Sequence, residues 1–164
     1  MRKAALTIDS ALYFVVVPGA VSGLVPRLLV GWRVQGWWMP SQIGAVAMIC
    51  LGLVPLVEAF VEFARAGGTP SPAGSPDQLV AEGLYRYVRN PIYVGVLLTI
   101  LGQALLFNSV LLAGYAVLFW IAVASFVRWY EEPALSRQFG AAYHAYRESV
   151  PAWCPRLRPW APKT

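Results

Sequence analysis

Thirty-seven consecutive residues, Pro91 to Val127, carry no formal charge, and this run limits the fold more than any other feature. As one helix it would be about 55 Å long, whereas the hydrocarbon core of a bilayer is about 30 Å thick and is crossed by about 20 residues. The run must therefore fold back once. Asn108-Ser109 is the polar pair placed to turn it, with Asn suited to ending one helix and Ser to capping the next. Two further apolar runs, about residues 11–31 and 43–63, have spanning length. The chain as a whole is 58% apolar and only 13% charged, with mean hydropathy +0.55, far from the balance of a soluble domain. The expectation is an all-α integral membrane bundle of four transmembrane helices in one domain, residues 1–164. The spans fall at about 11–31, 43–63, 91–108 and 110–129, with a cytoplasmic loop over 64–90 and a C-terminal amphipathic interfacial segment over 131–164.

The first span competes with a cleaved secretory signal, because Arg2, Lys3 and Ala20-Val21-Ser22 imitate its charged start and cleavage site. Asp9 interrupts the approach and the apolar pattern runs on to Val30, which favours retention. Four spans put both termini on one side. With that side cytoplasmic, Arg2, Lys3, Arg65, Arg86, Arg89, Arg137, Arg147, Arg156, Arg158 and Lys163 lie inside, Arg128 lies at the boundary, and Arg27 and Arg33 lie outside. The positive-inside rule is obeyed, and the net charge of +5 is explained by topology and anionic membrane lipid, not by nucleic acid. The expected location is the bacterial cytoplasmic membrane. Trp32, Trp37 and Trp38 cluster in the outer loop, and Trp129, Tyr130, Trp153 and Trp160 near the inner boundary, as amphipathic rings at headgroup depth should.

Cys50 and Cys154 stand alone, without a second ligand at metal-like spacing, and His144 is the single histidine. A disulfide, a zinc site and a Ser-His-Asp triad therefore find no support, and no metal is expected. The Gly-, Pro- and Ser-rich segment Ala64 to Gly83 reads as a long loop. Beyond Trp129, Leu135, Phe139, Tyr143 and Tyr146 recur every three to four residues on an otherwise polar stretch. They form one apolar stripe, suited to the membrane surface or the mouth of the bundle. Four prolines after it, from Pro151 to Pro162, end regular structure.

The chemistry gathers at the inner ends of the third and fourth spans. Asn90-Pro91 is a helix start, in which Asn caps exposed N–H groups and Pro fits the first helical position. A helix start is also an anion site, and Arg86 and Arg89 stand beside it. At the other end of the hairpin come Arg128, Glu131 and Glu132. Doubling back brings "YRYVRNP" and "RWYEE" together, so anion-liking and cation-liking groups lie side by side. Adjacent helical residues point about 100° apart, so one glutamate should face a ligand and the other water or a basic partner. That geometry also excludes a glycosidase pair, which must flank its bond from opposite sides.

The order "GLYRYVRNPIYVG", a charge-free hairpin, "EEPALSRQFGAAYHAY" and a following "VP" resembles the isoprenylcysteine carboxyl methyltransferase and phospholipid methyltransferase superfamily. That family reads Gly-x-Tyr, Arg-His-Pro-x-Tyr-x-Gly, Glu-Glu and Phe-Gly-x-x-Tyr-x-x-Tyr, and the match covers about Leu79 to Pro151. The resemblance implies methyl transfer from S-adenosylmethionine to a lipophilic acceptor that enters from the bilayer. By likeness, Leu79, Val80, Tyr85, Arg89 and the start Asn90-Pro91-Ile92-Tyr93 would hold the cofactor. Glu131, with Glu132 beside it, would take its ribose or amino end. Gly95 would admit a close approach by cofactor or helix.

One position departs from the pattern: Asn90 stands where the best-known members carry His. An amide caps a helix but is no base, so the position is read as a binding and capping one. On the substrate side, Arg128 is a candidate for an acceptor carboxylate, and Glu58, four residues before Glu62 on one face, for an amine. A carboxylate or thiolate acceptor would need no general base. A phospholipid or other amine N-methyltransferase is the alternative of the same class, and a non-catalytic membrane binding or assembly module that of another.

Overall fold

A computed structural model of the chain describes residues 16–31, 39–65, 79 and 81–161. Val80, the expected tryptophan cluster of the outer loop, most of the 64–90 loop and the side chain of Glu62 lie outside the described residues. All regular elements among those described are helical: α1 (Val16–Val30), α2 (Met39–Arg65), α3 (Pro91–Leu106), α4 (Val110–Phe126), α5 (Glu132–Phe139) and α6 (Ala141–Ser149). Two π turns, Ala20–Leu24 and Val127–Glu131, and one 3-10 turn, Gly83–Arg86, complete the order.

The charge-free run doubles back at the expected place. α3 ends at Leu106 with Phe107 as its C-cap, Asn108 takes the left-handed conformation at φ 47°, and the Ser109 hydroxyl accepts the Leu112 N–H at 3.2 Å. α2 lies along α3, and the seam is set by small residues. A Cβ built on Gly95 would meet the Gly52 carbonyl at 2.5 Å, and one built on Gly102 would meet the Ala45 carbonyl at 2.9 Å. Such backbone approach is the usual means of helix association in lipid, where apolar side chains gain little by leaving apolar surroundings.

α1 joins the bundle through hydrogen bonds that its own sequence makes necessary. Pro26 has no N–H to give the Ser22 carbonyl four residues back, and Val25 N–H bonds to Ala20, past Val21. Two carbonyls are thus left over in an apolar setting. The Tyr115 hydroxyl of α4 donates to Val21 at 3.0 Å, and the Gln103 amide of α3 donates to Ser22. Both freed carbonyls are satisfied by neighbouring helices, as membrane-depth backbone requires.

Among the described residues, two helices are long and apolar enough to cross a membrane, α2 over Pro40–Glu58 and the continuous helix Val110–Phe139. Val16–Val30 and α3 are apolar but shorter. The helix that begins at Val110 does not stop at 129, where the sequence reading ended it. Instead a π turn carries it from α4 into α5. The cause repeats that in α1: Pro133 follows immediately, and Glu132 N–H reaches back to Val127, widening the helix around a missing donor. The helix is 30 residues long, about 45 Å at 1.5 Å per residue. Its charge-free part ends at Val127, immediately before Arg128.

The C-terminal stripe is present but bent. Gly140, at φ 51°, separates α5 from α6, and Tyr143, Tyr146 and Val150 are buried against Leu79, Ala81, Leu135, Phe139 and Trp160. The stripe thus packs on the chain's own loop and tail. Gly95→Ala is expected to disrupt the α2–α3 seam, visible as a lowered melting temperature in detergent. Gln103→Leu and Tyr115→Phe should each cost about 1–3 kcal/mol by orphaning one α1 carbonyl, measurable in the same assay.

Candidate active site at the inner end of the α3–α4 hairpin

Four elements meet where α3 begins and the long fourth helix leaves its apolar part. The Gly83–Arg86 turn is hung on α2, because the Glu58 carboxylate accepts the Leu84 N–H at 3.0 Å. Glu58, expected as a substrate-side group, therefore anchors backbone beside Tyr85. The Tyr146 hydroxyl donates to the Tyr85 carbonyl at 2.7 Å from the other side. Burial pushes the Tyr146 hydroxyl far above the ordinary tyrosine range, so it remains a donor at any working pH.

The basic residues turn to the chain itself. Arg89 donates from Nε to the Val150 carbonyl at 2.9 Å, and from Nη1 to Glu132, in a close ion pair, and to the Tyr143 hydroxyl at 3.3 Å. Arg147 reaches the second oxygen of Glu132 at 3.3 Å. Arg89 and Glu132, both expected at the cofactor, thus have these groups committed to joining α3 to α5. Arg86 likewise donates to the Trp160 carbonyl. Asn90 is buried at the N-cap position of α3, but its side chain does not cap. It donates to the Ala152 carbonyl at 3.1 Å, a correction to the expected role. The extended tail after α6 supplied what sequence reasoning missed. Pro151 and Tyr87 carbonyls accept Arg89 and Arg156 N–H groups, and Trp160 N–H bonds to Arg86. Two arginines and a buried amide, together with a proline-rich tail that offers unpaired carbonyls, were the available signal.

Glu131 behaves differently from Glu132. The Tyr93 hydroxyl approaches its carboxylate at 3.4 Å, and it makes no ion pair with any described residue. Burial raises its pKa, the Tyr93 hydrogen bond offsets part of that, Glu132 adds to the rise and Arg89 opposes it. Tyr85, whose hydroxyl is raised by burial and then by the Glu131 charge, completes a group of two phenols and one carboxylate beside the α3 start. Pro91 is fully buried at the first helical position and Ile92 half-buried. Leu79 packs under Tyr143 and Tyr146. Gly95 faces α2, one turn below the site. Arg128 is exposed and lines an open pocket that does not include Tyr85, Tyr93 or Glu131.

An apolar helical bundle with titratable groups gathered at one end of a hairpin is the architecture of a membrane protein. The chain belongs to the phospholipid methyltransferase family, whose model matches residues 40–142. It is 32% identical over 119 residues to the protein-S-isoprenylcysteine O-methyltransferase of Schizosaccharomyces pombe, covering 71% of this chain and 50% of that one. It is 33% and 32% identical over 124 residues to the A and B forms of the same-named protein from Arabidopsis thaliana, covering 74% of this chain and 61% of each. The chain therefore spans about half to three-fifths of the length of these relatives. No solved structure matches it.

Removing one member of a buried ion pair strands the others. Glu132→Gln should thus lower stability by about 3–5 kcal/mol, and Arg89→Gln added to it should recover part of the loss, both read from thermal unfolding in detergent.

Proposed function

We propose that the chain is an S-adenosylmethionine-dependent methyltransferase acting on a lipophilic, membrane-borne acceptor, with an acceptor carboxylate as the favoured nucleophile. Four spans, with both termini and the site on the cytoplasmic side, complete the reading. It agrees with the distribution of basic residues and with a helix α3 that starts beside Glu131.

The observation that carries it is Glu131. A carboxylate whose folded pKa is raised is more costly to ionise in the folded chain than in the unfolded one. Its effect on stability is therefore most favourable at low pH and is lost as pH rises through that pKa. The fold gains nothing from this charge at neutral pH, whereas a cationic ligand would. The amino and sulfonium groups of S-adenosylmethionine are such cations, and Tyr85 and Tyr93 offer ring faces to them. The cofactor's carboxylate suits the start of α3, where the Asn90 side chain leaves the amides uncapped. These residues fit the group in charge and position.

When bound, the cofactor supplies a methyl group on positively charged sulfur, open to in-line displacement. The chain's part is to place Glu131 where the cofactor's cations offset the cost of its charge, to fix Tyr85 between Leu84 and Tyr146 contacts, and to keep water out beneath the tail. Among the described carboxylates beside the α3 start, none is left to remove a proton. Glu58 is tied to Leu84, Glu132 to two arginines, and Glu131 is assigned to the cofactor. This favours a nucleophile already anionic, such as a carboxylate, over an ammonium that must first lose a proton. The names of the relatives, as O-methyltransferases of isoprenylcysteine, agree with that choice.

Calorimetric titration of the protein in detergent should show saturable S-adenosylmethionine binding that weakens as pH falls through the raised Glu131 pKa. Glu131→Gln should reduce affinity at least about tenfold and flatten that pH profile, without lowering the melting temperature at neutral pH. Absence of binding would leave a non-catalytic module. With binding established, methyl-labelled cofactor and a lipid extract should yield labelled ester; label in amine headgroups instead would identify an N-methyltransferase.

A further inference from the structure

Behind the Glu131 face lies a second feature that methyl transfer does not use. Arg128, Trp129, Glu132, Pro133 and Ser136 of the fourth helix and Arg147 of α6 line an open pocket of about 330 Å³. The lining follows from local geometry: Arg128 and Trp129 lie in the π turn, Glu132, Pro133 and Ser136 in α5 directly after it, and Arg147 in α6 beyond the bend at Gly140. That volume is within the usual range for a small-ligand site.

Its charge is unbalanced. Glu132 is the one acidic lining residue, and it already serves Arg89 outside the pocket as well as Arg147 within it. Arg128 makes no hydrogen bond or ion pair with any described residue. Two guanidinium groups and the Ser136 hydroxyl are thus presented to the pocket against one shared carboxylate, a set matched to a phosphodiester. Glycerol or phosphate from solution would meet the same groups, but the surroundings distinguish a lipid. Trp129 is largely exposed at the pocket, as an aromatic at headgroup depth is. Seven and eleven residues before Arg128, on the same line of the helix, stand Ile121 and Val117, half or more exposed. Gly114, still further along, faces open space. An apolar track of one helix face leads directly to the charged pocket.

We infer that this pocket binds the phosphate headgroup of an anionic phospholipid of the cytoplasmic leaflet, with an acyl chain along Ile121, Val117 and Gly114, at a site separate from the Tyr93–Glu131 cluster. The arginines give the preference for negative charge, and the track gives the preference for lipid over a soluble anion. Because Arg147 also holds Glu132, which holds Arg89, an occupied pocket bears on the contact that joins α3 to α5.

Native mass spectrometry of the full chain, released from detergent with no methyl donor present, tests this independently of the proposed reaction. Phosphatidylglycerol should be retained in preference to phosphatidylcholine of the same acyl chains. Arg128→Gln and Arg147→Gln should each lower that preference about fivefold, while Arg137→Gln, at an exposed arginine outside the pocket, should not. Since Arg147→Gln also touches the ion-pair network, its melting temperature is recorded, and Arg128→Gln, which breaks no hydrogen bond or ion pair among the described residues, carries the decision. Equal retention of the two lipids, an unchanged preference in Arg128→Gln, or equally tight binding of glycerol phosphate alone would each overturn the assignment.

Discussion

The Arg89–Glu132 ion pair is the constraint on which the inner end of this molecule depends. The two residues are forty-three apart in sequence, one just before α3 and the other at the first position of α5. Their meeting fixes where the hairpin's two ends stand relative to each other. Both side chains are largely buried, so neither tolerates loss of its partner. Tyr143, Val150 and Arg147 add further bonds to the pair. Glu132 is thus neutralised within the fold, whereas the neighbouring carboxylate, Glu131, makes no ion pair with any described residue.

That division between two adjacent glutamates is the main functional content of the fold. One is neutralised by arginines and holds helices together, while the other is kept among phenols and disfavoured by burial. A rotation of about 100° between successive residues suffices to separate the two roles. The π turn makes the separation sharper, since an extra residue in the turn changes the face on which everything after it stands.

Much of this was legible in the residues. Charge-free length forced the hairpin, Asn108-Ser109 marked its turn, and adjacency of Glu131 and Glu132 required that they part company. Less legible were contacts made by backbone. Nothing in Asn90 announces that its amide will seek Ala152 and not the helix start it precedes, because both acceptor and competing donors are main-chain groups without sequence identity. The same holds for Arg86 and Arg89, whose attraction to ligands was evident while their use by tail carbonyls was not. The π turns were missed for a different reason: a helical wheel presumes a constant turn, and only the prolines at 26 and 133 hinted at the local widening. The stripe from Leu135 to Tyr146 was correct in its spacing, yet the left-handed Gly140 decided that it would wrap around the chain itself.

The strap formed by residues 150–160 has a consequence for biosynthesis. It is translated some sixty residues after the arginines it secures, so during insertion Arg86 and Arg89 emerge with neither carbonyl nor carboxylate to meet them and must stay hydrated. Two cations waiting in water ahead of a hydrophobic hairpin resist being drawn across the bilayer. In the four-span reading proposed above, the same side chains that later hold the tail would thus first act as a topological brake on the hairpin.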